Sequence, residues 1–137
     1  MSARRNAVRV CGHFWASELE CPHCGQVVLD PVLLCRLELL RIAWGHELVL
    51  SSGYRCPIHN ADPKIDGRPD SRHLSGRAVD IPMLDDRDLG AGARAQQIVG
   101  GVIPRLELDR FRLRAVAAGF RAADVVDEGD HVHLEVD

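Results

Sequence analysis

Long hydrophobic runs are missing from this chain. Nothing in its 137 residues approaches the roughly eighteen apolar residues in a row that a membrane-spanning helix needs. The N-terminal stretch MSARRNAVRVCGHFWASELE contains basic residues but lacks the continuous apolar core of a secretory signal. We therefore expect a chain made in the cytoplasm without a membrane span, which reaches any target outside the cell by another route.

An excess of basic residues is also missing. The 17 Lys and Arg residues are outnumbered by 20 Asp and Glu residues, and the formal net charge is -3. Because little positive charge is available to neutralise phosphates, we predict no nucleic-acid partner. Hydrophobic residues (46%) and charged residues (27%) are present in ordinary proportions for a soluble globular protein, and the length suits one domain with one core.

The cysteines do not form the even set that is typical of a disulfide framework. The five cysteines are Cys11, Cys21, Cys24, Cys35 and Cys56. Without an export signal, free thiols or metal ligands are favoured. CPHC at residues 21–24 has the spacing of a metal knuckle, and Cys11 and His13 lie close enough upstream to complete four ligands. A structural zinc ion, a reduced thiol pair and a disulfide at Cys21 and Cys24 all stay open, whereas Cys35 is interpreted as a small core residue of a helix.

Periodic patterns predict a small α+β domain with a mostly antiparallel sheet and helices packed on it. Asp30 followed by Pro31 is typical of a helix start, and apolar residues at helical spacing predict an amphipathic helix over residues 31–45. Further helices are predicted over 90–100 and 106–118. Strands are predicted over 47–52, 77–82, 120–126 and 131–136, and the loop between the first two is too rich in Pro, Asp and Gly for regular structure.

The most informative residues lie in two short segments. SRHLSGRAVDI, residues 71–81, places His73 and Asp80 on either side of a glycine turn. DHVHLEV, near the C-terminus, places His131 and His133 one residue apart. Two imidazoles and one carboxylate form a zinc ligand set that leaves one coordination position for water or substrate. This pattern indicates a hydrolytic metal site instead of a structural one.

Strand periodicity aligns these side chains independently, because alternate residues of a strand share a face. In the predicted strand around Asp80, the carboxylate points away from the core. In the C-terminal strand, His131, His133 and Glu135 also share the face opposite the core. His73 then has to arrive from the preceding loop, through a tight glycine turn. An HxH pair by itself occurs on exposed strands by chance, so the joint pattern carries the prediction.

These residues fall in motifs of a known family. SRHLSGRAVD resembles the S-x-H-x-x-G-x-A-x-D motif of the zinc D-alanyl-D-alanine carboxypeptidase family, and DHVH resembles its D-H-x-H element. SSGYRCPIHN resembles the segment before the first motif, and ELECPHCG resembles the N-terminal part of many phage and prophage members. That family shares its fold with VanX-type dipeptidases, phage L-alanyl-D-glutamate endolysins and the Hedgehog signalling domain, so the resemblance implies a Hedgehog-like peptidase fold.

The resemblance also implies a role for each site residue. The implied zinc ligands are His73, Asp80 and His133. Asp130 stands where the family carries its general base, and His131 would stabilise the tetrahedral intermediate or steer the substrate. Arg55 would meet a carboxylate or carbonyl of the substrate. The implied organisation is a Cys/His-containing N-terminal segment over residues 1–29, followed by a zinc peptidase domain over residues 30–137.

The resulting hypothesis is a zinc peptidase that cleaves a peptidoglycan peptide bond, as a D-Ala-D-Ala carboxypeptidase or endopeptidase or as an L-alanyl-D-glutamate endopeptidase. The missing signal fits a phage or prophage endolysin, which reaches the cell wall through a holin or after lysis. One alternative is a Hedgehog-like module that binds zinc without useful catalysis. Another is a nucleic-acid-binding zinc knuckle centred on CPHC, which the acidic net charge disfavours.

Overall fold

The computed structural model describes residues 5–85 and 100–137, and these form an α+β fold, as predicted. The strands in this part of the chain are β1 (Arg9–Cys11), β2 (Phe14–Trp15), β3 (Ala78–Leu84), β4 (Ile103–Pro104), β5 (Val125–Asp127) and β6 (His131–Glu135). The helices are α1 (Pro31–Trp44), α2 (Pro57–Asn60) and α3 (Leu108–Ala117). None of the helices described here is both long enough and apolar enough to cross a membrane.

A four-stranded sheet in the order β4-β3-β6-β5 forms the centre of the fold. The β3–β6 and β5–β6 pairs are antiparallel and the short β3–β4 pair is parallel, which confirms the predicted mostly antiparallel sheet. Side chains alternate along the two central strands, and Val79, Ile81, Val132 and Leu134 all turn into the core. The other face of the same strands is therefore free to carry polar residues.

Helix α1 packs on the core and has both of its predicted ends. The carboxylate of Asp30 accepts hydrogen bonds from the N–H groups of Val32 and Leu33 at 2.9 and 3.0 Å, which satisfies two otherwise unpaired donors of the first turn. Gly45 ends the helix at φ +78°, a left-handed conformation that glycine adopts without strain. The buried face consists of Leu33, Leu37, Leu40 and Trp44, as the spacing predicted.

The segment predicted as a strand over residues 47–52 is not one. It runs beside β3 but contributes a single bridge, between Ser52 and Asp80, and one further hydrogen bond from the N–H of Val49 to the carbonyl of Gly101. The reason is that β4 pairs with β3 at Met83 and Leu84 and occupies the rest of that edge. The apolar pattern alone does not show that this edge of β3 is already shared.

Three other boundaries also differ from the predictions. The strand predicted from residue 120 begins only at Val125, because a 3-10 turn over Ala122–Asp124 comes first and is closed by a hydrogen bond from Arg121 to Asp124 at 2.7 Å. The loop after residue 53 contains α2, and the last helix begins at Leu108 instead of residue 106. The helix predicted over residues 90–100 lies almost wholly outside the described residues.

The N-terminal segment packs against the same core as the rest of the fold. Phe14 and Leu19 are both buried in the main apolar cluster. The backbone of Leu19 lies so close to Gly53 that a Cβ at this glycine would come within 2.7 Å of the Leu19 Cα. The residues before α1 therefore hold the loop that leads from residue 53 towards the motif of His73. The division of the chain at residue 30 stays a prediction.

Candidate metal centre

Direct pairing of β3 with β6 brings two of the predicted ligands together. Asp80 and His133 are cross-strand partners in the antiparallel register. The backbone N–H and carbonyl of Asp80 bond to Ser52 and Ser51 at the opposite edge, so the Asp80–His133 pair is of the non-hydrogen-bonded kind, in which side chains approach most closely. The Nδ1 atom of His133 lies 2.9 Å from Oδ1 of Asp80.

The third predicted ligand reaches the sheet from a 3-10 turn over Arg72–Ser75. The hydroxyl of Ser71 caps this turn by accepting a hydrogen bond from the N–H of His73 at 3.2 Å. Gly76 ends the turn at φ +69°, and a Cβ at this position would lie 2.1 Å from the carbonyl oxygen of Val28. Glycine is therefore required here both for its conformation and for its size.

The imidazole of His73 is buried and held in one tautomer. Its Nδ1 lies 2.7 Å from the carbonyl oxygen of Gly53. Because a carbonyl can only accept, Nδ1 carries the proton and donates it, and Nε2 keeps its lone pair. Nε2 is buried, has no hydrogen-bond partner among the described residues, and lies 3.3 Å from Oδ1 of Asp80. A buried lone pair that faces a carboxylate oxygen fits a cation that both can bind.

The three predicted ligands converge on one point of the fold. One nitrogen each of His73 and His133 and one oxygen of Asp80 lie within 4.8 Å of one another. Two neutral imidazoles and one carboxylate are the donor types that suit Zn²⁺ in a catalytic site, and the three side chains leave room for a fourth ligand. The residues present therefore fit a zinc ion.

The electrostatics of the cluster favour an ionised carboxylate. Burial alone would raise the pKa of Asp80, but the hydrogen bond with His133 and the neighbouring imidazoles of His73 and His131 hold it well below its ordinary value. Burial lowers the pKa of His133, but Asp80 and Glu135 outweigh it, so the net shift is upward. Asp80 is thus negatively charged at neutral pH and able to bind a cation.

Glu135 forms a hydrogen bond with the ring nitrogen of His133 that faces away from Asp80. It sits on the same face of β6, and its Oε1 lies 3.0 Å from Nε2 of His133 while Nδ1 points to Asp80. Such a carboxylate fixes the tautomer and the orientation of a metal-binding imidazole and makes it a stronger donor. The strand periodicity places Glu135 on the same face as His131 and His133, in agreement with this geometry.

Arg55 lines the same cluster but is already engaged within the protein. Its guanidinium donates to Oδ2 of Asp80 at 3.0 Å, and its Nε donates to the hydroxyl of Ser52 at 3.1 Å. Burial lowers the pKa of Arg55, although the charge of Asp80 acts in the opposite direction. In this structure Arg55 holds the carboxylate of Asp80, and its predicted contact with substrate stays a prediction.

Asp130 and His131 lie at the rim of the cluster. Asp130 occupies the turn after Gly129, which has φ +94°, and its side chain is 91% exposed. One of its carboxylate oxygens lies 2.6 Å from Nδ1 of His131, and Nε2 of that imidazole lies 3.7 Å from Oδ1 of Asp80. The two residues therefore form a chain from solvent to the cluster, with His131 as the inner member.

A cleft of about 850 Å³ opens over the three convergent side chains. One wall is formed by residues 65–75 and the other by β5 and β6, and most of the lining side chains are charged or polar. Glu128, in the turn between β5 and β6, also lines the cleft. The sequence alone does not reveal this, because the conformation of the turn determines which of its acidic side chains faces the cleft.

Fold and site together define a class: an α+β domain with two imidazoles and one carboxylate beneath an open cleft is the arrangement of a metal-dependent hydrolase. A sequence model of the family described as Peptidase M15 matches residues 12–111, and the chain belongs to this family of zinc-dependent metallopeptidases. The predicted family resemblance is thereby confirmed. The matched range includes His73 and Asp80 and ends before β6. Neither the curated proteins nor the solved structures contain a match.

A second group of metal-binding side chains lies apart from the cleft. Cys21, Cys24 and Cys56 offer sulfur atoms within 4.8 Å of one another. Cys11 and His13, which the sequence offered as one way to complete the knuckle, are not part of this group, and His13 pairs instead with Glu38 of α1 through both its ring and its backbone N–H. All five cysteines of the chain are free in the structure, and Cys35 is exposed instead of buried, since it lies on the outer face of α1.

Substitution of Glu135 tests its support of His133. We expect Glu135→Gln to lower the affinity of the site for zinc by roughly 10- to 100-fold, because a neutral amide polarises the imidazole less than a carboxylate does. Competition with a chromophoric chelator measures this affinity. Glu47→Gln, at an exposed position between α1 and α2, serves as the control. Unchanged affinity in Glu135→Gln would show that the hydrogen bond to His133 has no influence on metal binding.

Proposed function

We propose that this chain is a zinc-dependent peptidase that hydrolyses peptide bonds in the stem peptides of peptidoglycan, at a D-alanyl-D-alanine or an L-alanyl-D-glutamate linkage. The observation that carries the proposal is the convergence of His73, Asp80 and His133 beneath the cleft, with the buried lone pair of His73 aimed at the carboxylate. Family membership supports the peptidase chemistry, and the motif resemblance supports the choice of substrate.

In this proposal His73, Asp80 and His133 hold the zinc ion. When bound, zinc supplies Lewis-acid polarisation of the scissile carbonyl and lowers the pKa of the attacking water. Gly53 and Glu135 keep the two imidazoles in their tautomers through the carbonyl and carboxylate described above. These outer contacts keep the donor atoms in place when substrate enters the cleft.

The remaining site residues handle the proton and the developing charge. Asp130 takes a proton from the attacking water and passes it to the leaving amine, as a general base that becomes a general acid. His131, which Asp130 orients, donates to the oxygen on which negative charge develops. Arg55 keeps the carboxylate of Asp80 ionised and oriented, and its charge also favours a substrate carboxylate.

The character of the cleft agrees with a short charged peptide. Arg68, Arg72, Glu128 and Glu135 all line the cleft. Arg68 pairs with Asp70 and Arg72 pairs with Glu135, each at 3.3 Å, so the cleft offers a charged peptide groups of both signs that are paired within the protein. The location of the chain in the cell and a role as a phage or prophage endolysin stay predictions that follow from the resemblance.

Digestion of purified peptidoglycan tests the proposal. We expect the zinc-loaded chain to release fragments whose masses show cleavage at one stem-peptide linkage, because the proposed ligands lie beneath an open cleft. Treatment with a chelator should abolish the release, and added zinc should restore it, since hydrolysis depends on the bound ion. Mass spectrometry of the fragments identifies the bond.

The same experiment separates the proposal from its main alternative. A Hedgehog-like module without useful catalysis would bind zinc at this site and release no fragments. Zinc binding with no cleavage of peptidoglycan or of synthetic stem peptides would therefore overturn the proposed function while leaving the metal centre in place.

A further inference from the structure

Three cysteines from two distant segments meet below the loop that carries Arg55. Cys21 and Cys24 belong to the N-terminal CPHC sequence, and Cys56 is the N-cap residue just before α2, 35 residues after Cys21 along the chain. Their sulfur atoms lie within 4.8 Å of one another, and Cys21 and Cys56 are buried. A disulfide would join two of these sulfurs and leave the third thiol beside it, whereas one tetrahedral ion uses all three.

The backbone around the cluster donates to the sulfur atoms. The N–H of Cys56 lies 3.4 Å from Sγ of Cys21, and the N–H of His59 lies 3.4 Å from Sγ of Cys56. The turn of the CPHC segment is closed by a hydrogen bond from the N–H of Cys21 to the carbonyl of Gln26 at 2.9 Å. N–H donors aimed at sulfur stabilise thiolates, which are the form that binds metal.

Two histidines are candidates for a fourth ligand. The Nδ1 atom of His23 lies 3.5 Å from Sγ of Cys56. His59 contacts Sγ of Cys56 through its backbone N–H, and it follows Cys56 at the same spacing that separates Cys24 from Cys21, so that Cys56 and His59 form a C-x-x-H pair. Structural zinc sites are usually completed by two such pairs, and Cys₃His is one of their common ligand sets.

We propose that Cys21, Cys24 and Cys56 bind a structural Zn²⁺ ion, and that His23 or His59 provides the fourth ligand. This site is distinct from the centre under the cleft and does not depend on the proposed function. All four coordination positions are filled by the protein, so it leaves no place for substrate.

The position of the site explains what it stabilises. Beside the cluster, the N–H of Tyr54 donates to the carbonyl of Leu19 at 2.9 Å, and the N–H of Arg55 donates to the carbonyl of His73 at 3.0 Å. The carbonyl of Gly53, three residues before Cys56, accepts a hydrogen bond from the Nδ1–H group of His73. A zinc ion at Cys56 therefore fastens the N-terminal segment to the loop that orients both His73 and Arg55.

Metal content tests the proposal directly. The purified zinc-loaded chain should contain two zinc ions per molecule, and Cys56→Ser and Cys24→Ser should each contain one, because two thiolates cannot retain the ion against dialysis. Cys35→Ser replaces an exposed cysteine outside the cluster and should keep both ions. Zinc content that is the same in Cys56→Ser, Cys24→Ser and the reduced unsubstituted chain would overturn the proposal.

Cobalt substitution identifies the ligands even if a cysteine variant fails to fold. Thiolate ligands give Co²⁺ an intense near-ultraviolet charge-transfer absorption, and imidazole and carboxylate ligands do not. The unsubstituted chain and His133→Ala should both show this absorption, since the centre under the cleft contributes none of it. Its absence from the cobalt-loaded chain would overturn the proposal, whether or not the chain hydrolyses peptidoglycan.

The two histidine variants assign the fourth ligand. We expect either His23→Ala or His59→Ala to weaken cobalt binding and to change the visible absorption that reports tetrahedral geometry, while the thiolate absorption persists. If both variants bind cobalt as tightly as the unsubstituted chain does, with the same spectrum, the histidine ligand is refuted.

Discussion

Replacement of His73 by alanine is expected to abolish both zinc retention at the centre under the cleft and peptide hydrolysis. His73 offers the buried Nε2 lone pair beside Asp80, and alanine removes one of three protein ligands. The loss of affinity should exceed the roughly 10- to 100-fold effect that is typical of a residue behind a ligand. Metal analysis after dialysis and fragment release from peptidoglycan measure the two effects.

The design of this experiment has to separate lost ligation from lost folding. His73 is buried, and its Nδ1–H group donates a hydrogen bond to the carbonyl of Gly53. His73→Ala therefore also leaves this carbonyl without its hydrogen-bond donor in the interior. His133→Ala is therefore made in parallel, because its side chain is less buried, and His46→Ala, beside Trp44, is the control outside the cleft. A folded His133→Ala variant that retains zinc under the cleft and full activity would refute the proposed centre.

The part of the site that lies on two paired strands could be predicted from the sequence. Side chains alternate along β3 and β6, and the apolar side chains of each strand are buried in the core. Asp80 and His133 therefore have to lie on the opposite face of the sheet. The same argument identified Glu135. A change of one residue in the register would expose the apolar side chains to solvent. The hydrophobic pattern therefore also determines which side chains lie on the polar face.

The contacts that depend on loops could not be predicted in this way. The bond from His73 to Gly53 and the approach of Cys56 to Cys21 join residues that no periodic pattern relates. Proximity in sequence therefore favours Cys11 and His13 as the remaining ligands of the knuckle, although the C-x-x-H pair in GYRCPIHN is a signal for the distant segment. Likewise, Glu128 reaches the cleft because Gly129 turns the chain between β5 and β6.

Replacement of Asp130 by asparagine is expected to leave zinc binding intact and to lower turnover by about 10²- to 10⁴-fold, the usual contribution of a general base. Asn has nearly the same shape as Asp and can still bond to His131, but it cannot accept a proton from water. Asp130 does not contact the three ligands, so its substitution should not release the ion. Stem-peptide hydrolysis under saturating substrate measures the change.

The matched variant is Glu128→Gln, two residues earlier in the same turn. Glu128 lines the cleft, whereas the side chain of Asp130 is 91% exposed and reaches the cluster through His131. If Asp130 is the base, Glu128→Gln should retain most of the turnover. Because the position in the cleft lining favours Glu128 while the motif favours Asp130, the two variants decide between them. Full activity in Asp130→Asn together with a large loss in Glu128→Gln would transfer the proton-accepting role to Glu128.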